Sequence, residues 1–481
     1  MERSAGILLP ISCIPSSFGT GDFGETAYAF ADFIARAKLK IWQILPLNPI
    51  GPGASPYASD CGKAIDPLYI SLNDYFAEKI IPEETSDYEN HDFADLEIVK
   101  QEKLRLLRLV FNQVYYKDKR YITGFMNKNP WVKGYAVFLR LKAKNENTDW
   151  WTWEEKERYL AYHLDQVSLT EDDEFNIWCQ YIAFKQFEKL KKYINKKGIK
   201  LFGDLPFYVG ANSYDAWANQ DEFLLDERDN PCGVAGVPPD YFSKDGQRWG
   251  NLLYDWQYMK EDGFTFWKDR ILNAYDKFDI LRIDHFRAFD TYWNINPDCD
   301  TAIDGVWERA EGDAFFEQLF KEKPNLQLIA EDLGDLFPSV HELRDKYNLP
   351  GMNVFEFTVF DKEFEVRKNQ VIYPGTHDNN TIAGWLKELT VEQKADLEEL
   401  FNSKKINKRE KIEDKVIEYV FSSECDIAIV SIQDFLGLGA KYRLNTPGVL
   451  GYPNWCYYLN NLKKFTDRIP FIEKIVDKYG R

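Results

Sequence analysis

Eight short apolar runs, each ending in polar or charged residues, are the feature of this 481-residue chain that most limits its fold. Continuous apolar runs are typical of parallel strands that are buried on both faces of a sheet. The runs are Gly6–Ser12, Ile41–Leu47, Lys200–Val209, Ile280–Phe286, Gln327–Gly334, Met352–Phe357, Val371–Asn379 and Ile427–Leu436. Helical patterns separate several of the runs, such as Trp178–Ile194, which stops before Gly198. Eight strand–helix units predict an α/β fold, a closed (β/α)8 or TIM barrel.

A barrel of this type needs ~250 residues, so one catalytic barrel spanning residues 1–481 must carry large insertions. Residues 73–173 are charged and have helical spacing of apolar side chains, and we expect them to form a helical subdomain. Residues 211–263 are rich in Asp, Asn, Gly and Pro. Because a long segment without regular structure is usually functional, we expect an active-site loop subdomain there.

Composition excludes some partners. The 78 acidic and 60 basic side chains give a formal net charge of −18, which disfavours nucleic acids and anionic membrane surfaces. Aromatic residues make up 16% of the chain and favour a large core or a ligand with flat apolar faces. The seven cysteines are scattered without a paired motif, and the chain shows neither a signal peptide nor an apolar run of ~20 residues. We therefore expect a cytoplasmic protein.

Three predicted strand ends carry carboxylates, namely Asp284, Glu331 and Asp378. The carboxyl ends of barrel strands form one face, so we expect these three side chains to converge. Two of the five histidines of the chain, His285 and His377, are their sequence neighbours. Histidine can hold a hydroxyl-rich ligand or stabilise a developing charge.

Arg282 lies two residues before Asp284, so both side chains should point to the same face of the strand. A guanidinium in that position would keep the aspartate ionised at neutral pH. Asp332 and Asn379 are ambiguous, because Asp and Asn at a strand end also cap the following helix.

Paired carboxylates indicate glycoside cleavage, in which one carboxylate attacks and a protonated one donates to the leaving oxygen. A metal-dependent barrel hydrolase is a rival, but it needs clustered histidine ligands, and the chain has neither HxH nor HExxH. The P-loop pattern GxxxxGK[ST] is also absent. We expect no metal ion and no organic cofactor.

The segments RIDHF, AEDLG and THDN resemble, in order and spacing, the catalytic segments of the 4-α-glucanotransferases of glycoside hydrolase family 77. These enzymes are the amylomaltases or disproportionating enzymes, relatives of the α-amylases. The likeness runs nearly end to end. It extends to RSAGILLPISCIPSSFGTGDFG, WQILPLNPIGPGASPY, GDLPFYVGANSYDAWAN, VAGVPPDYFSKDGQRWGNLLYDW and RLNTPG. The resemblance implies a retaining glycosyltransferase of carbohydrate metabolism, acting on maltooligosaccharides in the context of starch or glycogen.

The resemblance also implies individual roles. Asp284 would be the nucleophile that forms a glucosyl-enzyme, Glu331 the general acid and then base, and Asp378 a ligand of the distorted sugar. Residues 238–247 would form a lid over the acceptor side. The implied substrate-binding residues are Ser55, Tyr57, Asp204, Asp240, Trp249, Arg282, His285, Asp332, His377 and Asn445. Further candidate sugar platforms are Tyr241, Phe242 and Trp455.

Three departures from the family pattern concern chain-length preference and packing. The C-terminal motif reads NWCYY over residues 454–458, where the family usually has Asn-Trp-x-Trp-Arg, Ala288 replaces a usual glycine, and residues 58–66 after Ser-Pro-Tyr also differ from the family. Two alternative functions stay open. One is an α-glucan hydrolase of the same architecture, and the other is a non-catalytic glucan-binding protein.

Overall fold

The computed structural model describes residues 1–16, 18–81, 92–239, 243–361, 363–406 and 410–481. The strands in these ranges are β1 (Ser4–Leu8), β2 (Ile41–Gln43), β3 (Lys200–Leu205), β4 (Val234–Val237), β5 (Gln247–Leu252), β6 (Ile280–Ile283), β7 (Thr291–Ile295), β8 (Gly305–Arg309), β9 (Leu328–Ala330), β10 (Gly351–Val354), β11 (Gln370–Tyr373) and β12 (Ile427–Ser431).

The helices that surround and extend the strands are α1 (Glu25–Arg36), α2 (Asn73–Ala77), α3 (Leu96–Lys128), α4 (Trp131–Lys144), α5 (Glu155–Arg158), α6 (Glu171–Lys196), α7 (Tyr214–Ala218), α8 (Trp256–Glu261), α9 (Thr265–Lys277), α10 (Gly312–Glu322), α11 (Pro338–Lys346), α12 (Phe355–Thr358), α13 (Ile382–Glu388), α14 (Val391–Ser403), α15 (Ile412–Ser422), α16 (Ile432–Phe435), α17 (Lys463–Thr466) and α18 (Ile469–Tyr479). None of the helices in the described ranges combines the length and apolar content that a bilayer crossing requires.

One sheet of eight parallel strands forms the centre of the molecule. Its order is β10-β11-β12-β1-β2-β3-β6-β9, with registers such as Gly6 opposite Ile41 and Ile429. The two edge strands approach each other where the amide of Ala330 donates to the carbonyl oxygen of Pro350 at 2.9 Å. The sheet is therefore nearly closed into a barrel, and the predicted (β/α)8 architecture is confirmed.

The predicted strands begin within two residues of the observed ones, but each runs too far at its carboxyl end. Residues beyond the last strand bond stay apolar and buried, as Phe207 and Phe286 show with 1% and 0% exposure. In two cases the apolar run continues into a short helix, α12 or α16. Hydrophobicity alone does not mark the point where the chain leaves the sheet.

A second sheet was not predicted. Strands β5, β4, β7 and β8 pair antiparallel in this order, outside the barrel. Two of them, together with α7 and α8, occupy the segment 211–263 that the sequence suggested was loop-like. A Cβ on Gly236 would lie 2.2 Å from the carbonyl oxygen of Gln247. Glycine thus permits the close approach of β4 and β5, although it reads as a loop residue in the sequence.

Residues 73–173 hold α2, α3, α4 and α5. The 33-residue helix α3 buries Leu107, Val110 and Phe111, the spacing expected of a core-facing helical stripe. Trp150 and Trp153 are 0% and 5% exposed, so these tryptophans serve packing. The indole of Trp150 donates to the carbonyl oxygen of Ala211 at 2.9 Å, which fastens this segment to the loop after β3.

Candidate active site

Arg282 of β6 joins two carboxylates at the carboxyl ends of neighbouring strands. Its Nη1 donates to Oδ2 of Asp204 at 2.5 Å, and its Nη2 donates to Oδ1 of Asp284 at 2.7 Å. The side chains of Arg282 and Asp204 are 5% and 0% exposed, whereas that of Asp284 is 29% exposed. Asp284 thus faces the opening of the barrel above a sealed ion pair. The predicted common orientation of Arg282 and Asp284 is confirmed.

Glu331 is held beside Asp284 by hydrogen bonds to the backbone on either side of Asp284. Its backbone amide donates to the carbonyl oxygen of Ile283 at 3.0 Å. Its carboxylate accepts from the amide of His285 at 2.8 Å and from that of Leu333 at 3.1 Å. His285 has a left-handed φ of 50°, a turn directly after Asp284. The backbone itself therefore couples the positions of the two acidic side chains.

Burial raises the pKa of Asp284 and of Glu331 above the ordinary values, and Arg282 opposes this rise in both. Two such neighbours titrate as a pair, so burial disfavours two charges. Only Asp284 bonds directly to the guanidinium, a full charge, whereas Glu331 accepts from backbone dipoles. The hydrogen bond from Arg282 therefore favours ionisation of Asp284 more directly than ionisation of Glu331.

Tyr57 lies at the edge of the same group. Its hydroxyl donates to Oδ2 of Asp204 at 2.7 Å and lies 2.9 Å from Nε2 of His377. The rings of Tyr57 and His377 stack with centroids 5.5 Å apart, and Trp455 is tilted against Tyr57 at 5.7 Å. Burial lowers the pKa of His377, so its imidazole is neutral. These rings form an aromatic wall of the kind that sugar faces stack on.

Asp378 is held from the C-terminal part of the chain. Its Oδ1 accepts from the side-chain amide of Asn445 at 2.7 Å. Arg443 donates to the carbonyl oxygen of Asp378 at 2.7 Å and to that of Asn445 at 2.8 Å. The Asp378 side chain is 42% exposed, and its Oδ2 lies 3.3 Å from Nε2 of His377. The structure thus brings all three predicted catalytic carboxylates to one end of the barrel.

Comparison with known proteins identifies the family of the chain. A family model described as glycoside hydrolase family 77, 4-alpha-glucanotransferase, matches residues 9–463. The chain belongs to the 4-alpha-glucanotransferase family. It is 36% identical to the 4-alpha-glucanotransferase of Aquifex aeolicus, covering 100% of this chain and 99% of that one, and 36% identical to that of Synechocystis sp., covering 100% and 98%.

A solved structure shows the same relationship in three dimensions. The amylomaltase of Streptococcus agalactiae, determined in complex with acarbose, is 33% identical and superposes with a TM-score of 0.93 over 100% of both chains. The amylomaltase of Corynebacterium glutamicum, 18% identical, shares the fold with a TM-score of 0.81 over 98% of this chain and 75% of that one. The family that RIDHF, AEDLG and THDN predicted is therefore confirmed, and so is the assignment as an enzyme.

On the opposite side of the glucanotransferase site, Trp249 of β5 stands edge-on to His285, with ring centroids 4.9 Å apart. Trp249 is 39% exposed, as a sugar platform must be. Burial lowers the pKa of His285 to about 3, so this histidine is a neutral hydrogen-bonding group. Tyr208, 7% exposed and 6.1 Å from Trp249, was missed by the sequence analysis, because it reads as one more aromatic of an apolar run.

Asp332 does not join this glucanotransferase site. Its Oδ2 accepts from Arg344, and its Oδ1 accepts from the amide of Met352 at 2.7 Å. Its side chain is 3% exposed. The Asp332 side chain turns back to fasten β9 to α11 and β10, away from the direction of Glu331, because successive residues at a strand end point in opposite directions. The substrate-binding role of Asp332 stays a prediction.

Two more predictions concern loops. Ser55 accepts a bond from the amide of Tyr57 at 3.3 Å, so it shapes the turn that presents this tyrosine. Asp240, Tyr241 and Phe242 lie outside the described residues. Arg443 was also missed, although the segment RLNTPG that contains it was noted for Asn445. In the described ranges, no three His, Cys, Asp or Glu side chains are grouped to hold a metal ion.

Proposed function

We propose that this chain transfers α-1,4-glucan segments between maltooligosaccharides by a retaining double displacement through a glucosyl-Asp284 intermediate. The observation that carries the proposal is the pair of bonds from Arg282 to Asp204 and Asp284, which fixes Asp284 at the cleft. The His285 amide holds Glu331 beside it. A retaining mechanism needs two carboxyl groups only ~5–5.5 Å apart. The backbone coupling of Asp284 and Glu331 fits that requirement.

In the first step, Asp284 attacks the anomeric carbon of the donor glucan. Arg282 holds Oδ1, which leaves Oδ2 to form the new C1–O bond. Glu331 gives its proton to the glycosidic oxygen as the C1–O4 bond breaks, and the shortened glucan departs as a neutral alcohol. Asp378 would bind hydroxyls of the reacting sugar, with Asn445 fixing the orientation of its carboxylate.

In the second step, the 4-hydroxyl of an acceptor glucan attacks the same carbon. Glu331, now ionised, takes the hydroxyl proton, and the bond to Asp284 breaks as the new α-1,4 bond forms. Tyr57, Trp249, His285 and His377 would line the sugar sites, and Asp204 would act on the sugar through the Tyr57 hydroxyl that it holds. Ser55 would position the loop that carries Tyr57. Residues 238–247, including Asp240, would form a lid that favours attack by the acceptor over attack by water.

The direct test of the activity is incubation of the pure protein with maltotriose. Transfer produces glucose and longer oligomers at a nearly constant number of reducing ends, because each bond broken is replaced by one formed. A steadily rising number of reducing ends would instead identify an α-glucan hydrolase. Calorimetric binding of maltotriose without any turnover would support a non-catalytic glucan-binding protein.

We regard the chain as a single catalytic barrel in which residues 73–173 and 211–263 form subdomains around the site face. Donors and acceptors would be neutral maltooligosaccharides and glucose, which the negative net charge of −18 does not repel. A cytoplasmic location is supported by seven free cysteines, because oxidising compartments favour disulfides.

A further inference from the structure

A cavity of about 780 Å³ lies between α3, α6 and α9, and none of the carboxylates of the proposed active site lines it. Aromatic rings form part of its wall. Phe125 of α3 is 5.4 Å from Phe184 and 6.0 Å from Tyr181, both of α6, measured between centroids. The volume is in the range of ~300–1,000 Å³ typical of small-molecule sites.

The lining of this cavity is basic on an otherwise acidic protein. Two acidic side chains line it, Glu188 and Asp276, against five basic ones, Arg120, Lys128, Lys185, Lys191 and Lys277. In the part of the chain that the structure describes, Arg120, Lys128 and Lys185 form no salt bridge. A local excess of positive charge within a chain of net charge −18 indicates a preference for an anionic ligand.

Lys277 is the buried cation of the cavity, at 8% exposure. Its ammonium donates to the carbonyl oxygen of Lys63 at 2.9 Å and to Oδ1 of Asn273 at 2.7 Å, both neutral acceptors. It lies 5.5 Å from the ring centroid of Phe184, and burial lowers its pKa to about 8. Buried charges are normally paired. An ammonium has three donors, so one N–H of Lys277 is left for a ligand.

We propose that this cavity binds a phosphorylated metabolite with a flat face, a hexose phosphate or a nucleotide. The phosphate would lie among Lys277, Lys128 and Lys185, because phosphate oxygens accept charge-assisted bonds from ammonium groups. The sugar ring or base would pack on Tyr181 and Phe184. A neutral glucan would gain nothing from the cations, so the site is distinct in chemistry from the cleft at the strand ends and does not depend on the proposed function.

Calorimetric titration of the full chain at low salt, with glucose 6-phosphate, ADP and inorganic phosphate as separate probes, tests the proposal. One variant reverses charge, Lys128→Glu combined with Lys185→Glu. A second variant, Gly124→Leu, places a side chain in the cavity, because a Cβ there meets no neighbouring heavy atom within 4 Å and leucine favours the helix. Lys189→Glu, on α6 but outside the lining, is the matched control.

We expect saturable binding of at least one of the two organic phosphates, and whichever binds identifies the ligand class. Both test variants should weaken it by about tenfold or more, and Lys189→Glu by less than about twofold. An unchanged far-UV circular dichroism spectrum of each variant would show that its fold is intact. The proposal is wrong if neither organic phosphate binds at about 10 mM. It is also wrong if Lys189→Glu weakens binding as much as the two test variants do, or if inorganic phosphate binds as tightly as the two organic phosphates.

Discussion

Nη2 of Arg282 lies 2.7 Å from Oδ1 of Asp284, whose side chain is exposed to the cleft. The same guanidinium bonds Asp204 of the neighbouring strand, so it cannot rotate away from the cleft. Burial alone would keep Asp284 protonated. Arg282 supplies the opposing charge and at the same time orients the carboxylate for attack.

Replacing Arg282 by Lys should lower kcat/KM for transfer by about 100-fold or more, because an ammonium lacks the planar fork with which the guanidinium bonds Asp204 and Asp284 from separate nitrogens. The loss of the guanidinium raises the pKa of Asp284, so the acidic limb of the pH–rate profile should move to higher pH. Profiles of kcat/KM on maltotriose measure both effects.

The matched control is Arg344→Lys, which changes another buried arginine, the partner of Asp332 away from the site. It should lower stability but leave the acidic limb in place. An unshifted limb in Arg282→Lys would contradict the role assigned to the guanidinium.

Replacing Tyr57 by Phe should lower kcat/KM by about tenfold, because the hydroxyl loses its bonds to Asp204 and His377 while the ring stays. Replacing Tyr57 by Ala should cost clearly more, since the stacking face is lost as well. Steady-state kinetics on maltotriose compares the two variants. Equal losses in both would mean that the ring itself contributes nothing to sugar binding.

Replacing Asn445 by Ala should reduce kcat by about tenfold, because the Asp378 carboxylate loses the bond that orients it. The control is Asn461→Ala, an exposed asparagine whose side chain bonds its chain neighbours Asn460 and Lys463. A loss in KM alone, with kcat unchanged, would show that Asn445 serves binding without positioning Asp378.

Much of the barrel could be predicted from the sequence because each strand is buried on both faces and therefore mostly apolar. The same property concealed the strand ends, since Phe207 and Phe286 stay buried in the loops that follow. The antiparallel sheet escaped prediction because the glycines that let β4 and β5 approach read as loop residues. The hydrophobic pattern shows which residues are buried, but it does not show whether they are buried in a sheet, in a helix or in a loop.

In the site, Arg282 and Asp284 were predictable because they lie two residues apart at the end of β6, and Glu331 was predictable because it follows the neighbouring strand β9. The bond between Asp332 and Arg344 could not be predicted, because Arg344 lies on a helix whose packing no local pattern reveals. Arg443 was missed for a similar reason, since its bond to the backbone of Asp378 joins residues 65 positions apart in the chain.

Stability should depend on pH through Glu356. Burial and the nearby Asp434 and Glu388 raise its pKa to about 9, whereas an unfolded glutamate titrates near ~4.3. The stability linked to this proton is complete below ~4.3 and is lost as the pH rises toward the folded value. Glu356→Gln should therefore melt above the wild type at pH 8, and the difference should shrink at pH 5.

Thermal melts at the two pH values measure this difference, and Glu365→Gln, at an exposed position, is the control that should show none. A melting difference for Glu356→Gln that is the same at both pH values would mean that Glu356 is not protonated in the folded protein.

The central claim is that Asp284 carries the glucosyl group during transfer. The most direct measurement uses the Glu331→Gln variant with an α-glucosyl fluoride donor, which needs no acid to leave, followed by rapid acid quenching and peptide mass spectrometry. The account predicts a glucosyl adduct on the peptide that contains Asp284, and its absence in the Asp284→Asn variant. An adduct on another side chain, or undiminished transfer by Asp284→Asn, would contradict it.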